Sequence, residues 1–351
     1  MAKNKKDETR LNYREELNKL KEIGPERLYL LWGPEDYLRE QYLQQLKSLC
    51  LPEGEDSFSF KRMEGPELDL TELQIAIDAI PFLSQRSLIE LREIDINRAK
   101  EPERLLEILR DIPDYCTVVF TNNPGFSPDG RLKHVKALRE LAHEIKFTQQ
   151  SDDMLVNWIQ RRFRAAGKHI SPQAAQRLVF VSGDLMNGLI PEIDKLSAYA
   201  KTEEISVEDI DKVAHHLPEA IAFEMTDRIA KREFDKAMQV LDELLADKAN
   251  EPIAILAAFG GQMRRLYAAR LVSDAKRGVS ELMDVMQIRQ DFIASQLINA
   301  ARRFSLAQLK RAVTLCAETD YQMKSSGGDA KELLKELLLR IMAGQTDDVG
   351  S

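Results

Sequence analysis

The sequence predicts two kinds of structure in succession, an α/β unit built on a parallel sheet and then an almost entirely helical part. Up to about residue 150, short apolar runs alternate with amphipathic helices, which is the pattern of strand–helix–strand units with right-handed crossovers. From Ser151 onward, almost every segment has the apolar spacing of a helix. The chain has 351 residues and an aromatic content of only 7%, which favours a helix-rich protein of two or three domains.

The first predicted strand is Leu28–Trp32, and it leads through Gly33 into a helix expected at Tyr37–Cys50. A strand, a glycine turn and a helix in this order also form the phosphate-binding P-loop, G-x-x-x-x-G-K-[ST]. An ordinary turn explains the segment equally well, and the segment by itself favours the ordinary turn because one glycine is weak evidence.

The residues after this glycine each remove a requirement of the P-loop. Aligned on Gly33, Leu38 replaces the second glycine and brings a side chain to the place where backbone must approach phosphate. Arg39 replaces the lysine, and Glu40 puts an acid where a hydroxyl should bind magnesium. Pro34 lacks an N–H group for an anion. The pattern predicts the frame of a nucleotide loop without its chemistry.

The remaining elements of the α/β unit follow from short apolar runs and helical spacing. The predicted strands are Ser57–Met63, Ser87–Leu91 and Thr117–Thr121, and the predicted helices are Leu70–Ile80 and Glu101–Ile112. The run Val118–Phe120 is typical of a buried parallel strand.

The first helices of the second part are indicated by their caps. Ser151 and Ser171 are predicted N-caps, with Pro172 at the first helical position, and Ser206 begins a capping box. A helix is expected within 183–200, where Pro191 should kink it or mark its start.

A helical bundle is predicted beyond these helices. Its helices are expected at Glu219–Ala230, Glu233–Asp247, Glu251–Lys276, Ser280–Met286, Arg289–Arg303, Ser305–Lys324 and Lys331–Ala343. The last helix carries a leucine stripe, which is usually core and can also contact a partner. The predicted domains are a charged extension (1–24), the α/β domain (25–150), a small helical domain (151–215), the bundle (216–344) and a polar tail (345–351).

Composition limits the possible functions. The net charge of −8 argues against strong, autonomous nucleic-acid binding, which usually has a basic bias. The three cysteines lie far apart with no C-x-x-C, so neither zinc-ligand spacing nor a disulfide framework is indicated. The sequence has no signal-peptide pattern and no long apolar run, and a cytoplasmic protein is expected.

Several polar clusters resemble functional sites, and each has a simpler interpretation. Asn122-Asn123-Pro124-Gly125 is interpreted as a turn and Glu90, Glu93 and Asp95 as solvated charges. His215 and His216 with Glu219 are interpreted as solvated, so no metal site is expected. Basic residues are expected to contact solvent or other subunits, with weak phosphate contacts as the alternative; they are Arg264, Arg265, Arg270, Arg302, Arg303, Lys310 and Arg311. The loop 324–328 lacks an aromatic side chain to stack on a base.

The whole succession resembles one family. LYLLWGPEDYLRE at 28–40, AIPFLSQRSLIEL at 79–91, DGRLKHVKAL at 129–138 and GDLMNGLIPEIDKLSAYA at 183–200 resemble, in this order, the delta subunits of bacterial DNA polymerase III clamp loaders. The resemblance covers about 26–343. It implies an AAA+-like α/β domain with a degenerate P-loop, a small helical lid and a C-terminal helical collar.

The resemblance also implies a function and its partners. Delta subunits open the ring-shaped sliding clamp (the beta subunit) with an apolar wedge, which here corresponds to Ile80, Phe82 and Leu83. The implied partners are the clamp, the ATP-binding motor subunits and delta-prime through the collar, and primed DNA only within the assembly. No catalytic residue, cofactor or membrane contact is implied, and polymerase activity would belong to the holoenzyme.

Three other functions are compatible with parts of the sequence. A delta-prime-like or other non-catalytic AAA+ subunit would often carry a zinc module and a Ser-Arg-Cys motif, which this sequence lacks. An ATPase with an atypical loop would have to tolerate Leu38, Arg39 and Glu40. A free-standing helical scaffold would bind neither a clamp nor clamp-loader subunits.

Overall fold

The computed structural model describes residues 13–51, 58–81, 84–246, 251–288, 291–325 and 328–346. These residues form two compact units. The first contains the described residues up to Gln150 together with Leu185–Asn187, and the second contains Ser151–Asp184 and the described residues from Gly188. The further division expected at residue 215 remains a prediction.

The first unit is built on a five-stranded parallel sheet. Its strands are β1 (Leu28–Trp32), β2 (Phe60–Glu64), β3 (Ser87–Arg92), β4 (Cys116–Thr121) and β5 (His143–Lys146), and their order across the sheet is β2-β3-β4-β1-β5. The helices are α1 (Tyr13–Ile23), α2 (Asp36–Cys50), α3 (Leu70–Asp78), α4 (Pro102–Arg110) and α5 (Lys133–Leu141). β1 and β4 are buried at every residue, which explains their continuous apolar runs. The predicted parallel α/β fold is confirmed.

Three elements of this unit, α1, α5 and β5, were not predicted. Residues assigned to the charged extension form α1, whose Leu20 is buried. The fifth strand, β5, has the sequence HEIK and no apolar run, and it is defined by its pairing with β1, in which Trp32 lies opposite Lys146. α3 also ends at Asp78 and not at Ile80 as predicted.

The second unit is helical apart from one short parallel strand pair. Its first elements are α6 (Asp152–Ala165), β6 (His169–Ile170), α7 (Pro172–Ser182), α8 (Met186–Tyr199), β7 (Glu204–Ile205) and α9 (Val207–Val213). β6 pairs with β7, and this pair of two-residue strands was not predicted. The Ser171 cap and the Ser206 capping box are confirmed, whereas Ser151 makes no side-chain cap bond. Pro191 lies inside α8.

The C-terminal helices form the predicted bundle. They are α10 (Pro218–Ala230), α11 (Phe234–Ala246), α12 (Pro252–Asp274), α13 (Val279–Met286), α14 (Asp291–Ala301), α15 (Leu306–Ser325) and α16 (Ala330–Thr346). α12 is central, since it packs against α10, α13, α14, α15 and α16. Leu334, Leu337 and Leu338 of the leucine stripe are buried in this core. None of the helices in the described residues is long and apolar enough to cross a membrane.

Candidate functional site

The turn after β1 is shaped by a close approach of two backbone segments. Gly33 has φ +125°, and a Cβ atom there would lie 2.3 Å from the carbonyl oxygen of Phe147. The Phe147 N–H donates to Trp32 O (2.7 Å), and the Glu35 N–H donates to Phe147 O (3.1 Å). Glycine is therefore required at this position by packing against the chain that follows β5.

The amide groups of this turn are engaged within the protein. The Glu35 N–H is bonded to Phe147, the Asp36 N–H donates to Pro34 O (3.1 Å), and Pro34 has no N–H. A P-loop presents such amides to phosphate. Here those of Glu35 and Asp36 already have protein acceptors.

Arg39, which aligns with the P-loop lysine, is directed back into the turn. Its guanidinium donates to Gly33 O (3.1 Å) and pairs with Asp36. The side chain is only 4% exposed, and burial lowers the pKa of Arg39 although Asp36 opposes the shift. Leu38, at the position of the second glycine, is also buried. The cation that would face a nucleotide in a P-loop is thus bonded to the loop itself.

Glu40, which aligns with the magnesium-binding hydroxyl, belongs to a chain of ion pairs. It pairs with Arg92 (3.2 Å), and the Arg92 Nε donates to Glu90 Oε1 (2.9 Å). The other Glu90 oxygen accepts from Lys47 (2.9 Å) and Arg62 (3.1 Å). The Glu90 side chain is completely buried, so the interpretation of Glu90 as a solvated charge was wrong.

Burial and pairing act on Glu90 in opposite directions. Burial alone would raise the pKa of its carboxyl, but hydrogen bonds and charges from Lys47 and Arg92 hold the pKa below its usual value. Glu93 is exposed, as predicted, and Asp95 accepts from the Asn97 N–H at the start of a short 3₁₀ turn. Glu90 is thus an ionised structural centre that joins β2, β3 and α2.

The end of β4 also differs in part from its interpretation. A turn follows, in which the Phe126 N–H donates to Asn123 O (2.9 Å), as predicted. Asn122, however, is only 5% exposed, and its Nδ2 has no hydrogen-bond partner among the described residues.

The two histidines have different environments. His215 is exposed and its backbone N–H donates to Glu192 (2.9 Å), whereas His216 is half-buried and burial lowers its pKa. The expectation of two solvated histidines was therefore wrong for His216. Within the described ranges, no group of three His, Cys, Asp or Glu side chains is arranged to bind a metal ion.

The basic residues of the bundle have several environments. Arg270 binds the Phe304 carbonyl oxygen (3.1 Å) and Asp274, and Arg303 pairs with Asp227 (2.8 Å). These two arginines connect helices of the same unit.

The predicted clamp-binding wedge begins where α3 ends. Asp69 caps the start of α3 by accepting from the N–H groups of Thr71 (2.8 Å) and Glu72 (3.1 Å). Beyond the end of α3, Ile80 is 79% exposed and Pro81 is partly exposed. Phe82 and Leu83 lie outside the described residues.

Two further apolar side chains near this segment are exposed. Ile75 is 66% exposed on α3, and Phe58, just before β2, is 97% exposed. Helical spacing predicts the exposure of Ile75, because it lies off the face of α3 that carries Leu70, Leu73 and Ile77. No sequence signal separates Phe58 from a strand residue.

A parallel α/β unit with the Gly33 turn, followed by a helical unit, is the fold of a clamp-loader subunit of known structure. The Bacillus subtilis DNA clamp loader delta protein has this fold, with a TM-score of 0.57 and 22% identity. The match covers 94% of this chain and 99% of that chain.

Two family models match along the sequence. The model for DNA polymerase III, delta subunit matches residues 29–148, and the model for the C-terminal domain of the delta subunit matches residues 219–341. The DNA polymerase III subunit delta of Bacillus subtilis is 23% identical over 329 residues, which cover 92% of this chain and 94% of that protein. A probable subunit delta of Aquifex aeolicus is 20% identical over 323 residues, covering 89% and 90%. The chain belongs to the delta-subunit family of DNA polymerase III clamp loaders, whose role is in DNA replication, and the delta-prime-like alternative is not supported.

Proposed function

We propose that this chain binds a sliding clamp and opens it, and that Ile80, Phe82 and Leu83 are the residues that hold the clamp. The observation that carries the proposal is the 79% exposure of Ile80 directly after α3, in a member of the delta-subunit family. An exposed branched side chain beside a proline, followed by Phe and Leu, is suited to enter an apolar pocket of a partner.

The expected binding energy is large enough for such a role. Burial of a Phe or Leu side chain in a partner pocket contributes roughly 1.5–3 kcal/mol each. The loss of both Phe82 and Leu83 then weakens binding about a hundredfold or more, since each 1.4 kcal/mol is about tenfold.

The proposal also states that this chain binds and opens the clamp without a nucleotide of its own. The amides of Glu35 and Asp36 already have acceptors, Arg39 is bonded to Gly33, and Glu40 is paired with Arg92. These contacts leave the turn without the donors and the magnesium ligand that a triphosphate needs. ATP would be bound and hydrolysed by motor subunits, and the chain would have no catalytic activity and no cofactor of its own.

Assembly is proposed to use the C-terminal helices. The buried leucines of α16 already pack in the core of their own unit. A partner would therefore contact other side chains. Tyr321 (72% exposed) and Leu339 (54% exposed) are suited to this role. The proposed partners there are motor subunits and delta-prime, with primed DNA contacted only inside the assembly and the complex in the cytoplasm.

The test is clamp binding by a double variant, Phe82→Ala with Leu83→Ala. We expect binding to the host's sliding clamp to fall about a hundredfold or more in surface plasmon resonance, with the thermal unfolding midpoint nearly unchanged. A matched control replaces two exposed apolar residues of the other unit, Ile253→Ala with Leu271→Ala, and should bind as the wild type does. Wild-type affinity in the Phe82/Leu83 variant would contradict the proposal.

A further inference from the structure

Phe58 has an exposure that packing within the chain does not explain. At 97% it is the most exposed of the large apolar side chains that the structure describes. Its neighbour Ser59 is buried, so the ring extends from a fixed point. Single exposed apolar residues are common on protein surfaces, and the surroundings of Phe58 must therefore decide whether it has a role.

Phe58 lies at the same edge of the sheet as the wedge. β2 and β3 are parallel, with Phe60 opposite Leu88, so the residues that precede both strands meet at one edge. The Leu88 N–H donates to Ser59 O (2.8 Å), which joins the start of β3 to the residue after Phe58.

A pair of hydroxyl groups ties the two segments together at that edge. The Ser59 and Ser84 hydroxyl oxygens are 2.6 Å apart, and the Ser84 hydroxyl donates to Arg86 O (2.8 Å). Ser84 follows Leu83 in the sequence, so the first described residue after the proposed wedge is hydrogen-bonded to the residue next to Phe58.

We propose that Phe58 is a second anchor for the sliding clamp, in contact with the clamp surface beside the pocket that takes the wedge. The inference rests on the proposed clamp binding. A partner surface that covers Ile80 and Ser84 would reach Phe58 as well, because Ser84 is hydrogen-bonded to Ser59, the residue after Phe58. An aromatic side chain next to the main contact is typical of residues that dominate binding.

The first test is the affinity of Phe58→Ala for the clamp. We expect binding to weaken about tenfold or more, since the ring would be transferred from water into the interface. The thermal unfolding midpoint should not change, because the ring is exposed in the free subunit. Tyr199→Ala is the matched control, because Tyr199 is an exposed aromatic residue of the other unit (51%), and it should retain wild-type affinity.

The second test is direct contact. A photoreactive p-benzoylphenylalanine at position 58 should form a covalent adduct with the clamp, and the same group at position 199 should not. Unchanged affinity of Phe58→Ala without an adduct, while the Phe82/Leu83 variant fails to bind, would overturn this inference and leave the proposed function intact. Failure of the wild type to bind the clamp would overturn both.

Discussion

The clearest physical prediction concerns Gly33, the residue that resembles the first glycine of a P-loop. In Gly33→Ala the new Cβ atom would lie 2.3 Å from the oxygen, 2.8 Å from the nitrogen and 2.9 Å from the carbonyl carbon of Phe147. All three are backbone atoms, so no side-chain rotation relieves the overlap. The segment after β5 must move away from β1.

The cost has two parts. A non-glycine residue at φ +125° is strained by about 1–3 kcal/mol. Moving Phe147 also weakens two hydrogen bonds, Phe147 N–H to Trp32 O and Glu35 N–H to Phe147 O, each contributing about 0.5–1.5 kcal/mol. We expect the free energy of unfolding of the first unit to fall by about 4 kcal/mol.

The variant Gly65→Ala serves as a control that separates the backbone strain from the loss of packing and hydrogen bonds. It has φ +118°, but a Cβ atom there would meet nothing within 4 Å, so Gly65→Ala measures the backbone strain alone. Urea unfolding followed by Trp32 fluorescence, with Trp158→Phe in every variant, reports on the first unit. Gly33→Ala should be less stable than Gly65→Ala by about 2 kcal/mol. Equal losses in the two variants would refute the packing explanation for Gly33.

Two further predictions concern the ion pairs and the turn. Glu90→Gln should lower the free energy of unfolding at pH 7 by about 3 kcal/mol, because Lys47 stays buried without its carboxylate. The pKa of Glu90 is lowered in the folded state, so its stabilisation is present above pH 4.5 and is lost as the pH falls below that value. Urea unfolding between pH 3.5 and 7 should show the two proteins converging at low pH; a constant difference would contradict the assignment. Isothermal titration with Mg-ATP should give no saturable heat, and tight binding would contradict the role assigned to Arg39.

The elements predicted correctly are those with strong local signals. The buried runs of β1 and β4, the Ser206 capping box and the leucines of α16 all follow from patterns within a few residues. Local spacing determines these elements, and tertiary contacts reinforce them.

The features that were missed depend on residues far apart in the sequence. The four residues of β5 form a strand because β1 offers an edge to pair with. Glu90 has the pattern of an ordinary charged residue in SLIELR, and only Lys47 from α2 and Arg62 from β2 make its burial possible.

The same limit applies to the candidate site. The replacement of the P-loop lysine by Arg39 is visible in the sequence, but the bond from its guanidinium to Gly33 is visible only in the structure. Phe58 precedes a strand in an ordinary polar segment, and its position near the start of β3 arises from the pairing of β2 with β3.

Clamp opening without nucleotide is the central claim, and release of a clamp from DNA measures it most directly. A fluorescent clamp closed around nicked circular DNA is mixed with the purified chain in the absence of ATP, and DNA-bound clamp is separated from free clamp by gel filtration. The account predicts that the chain accelerates release, and that Phe82→Ala with Leu83→Ala removes the acceleration. Release at the spontaneous rate with the wild-type chain bound to the clamp, or an absolute requirement for ATP, would contradict it.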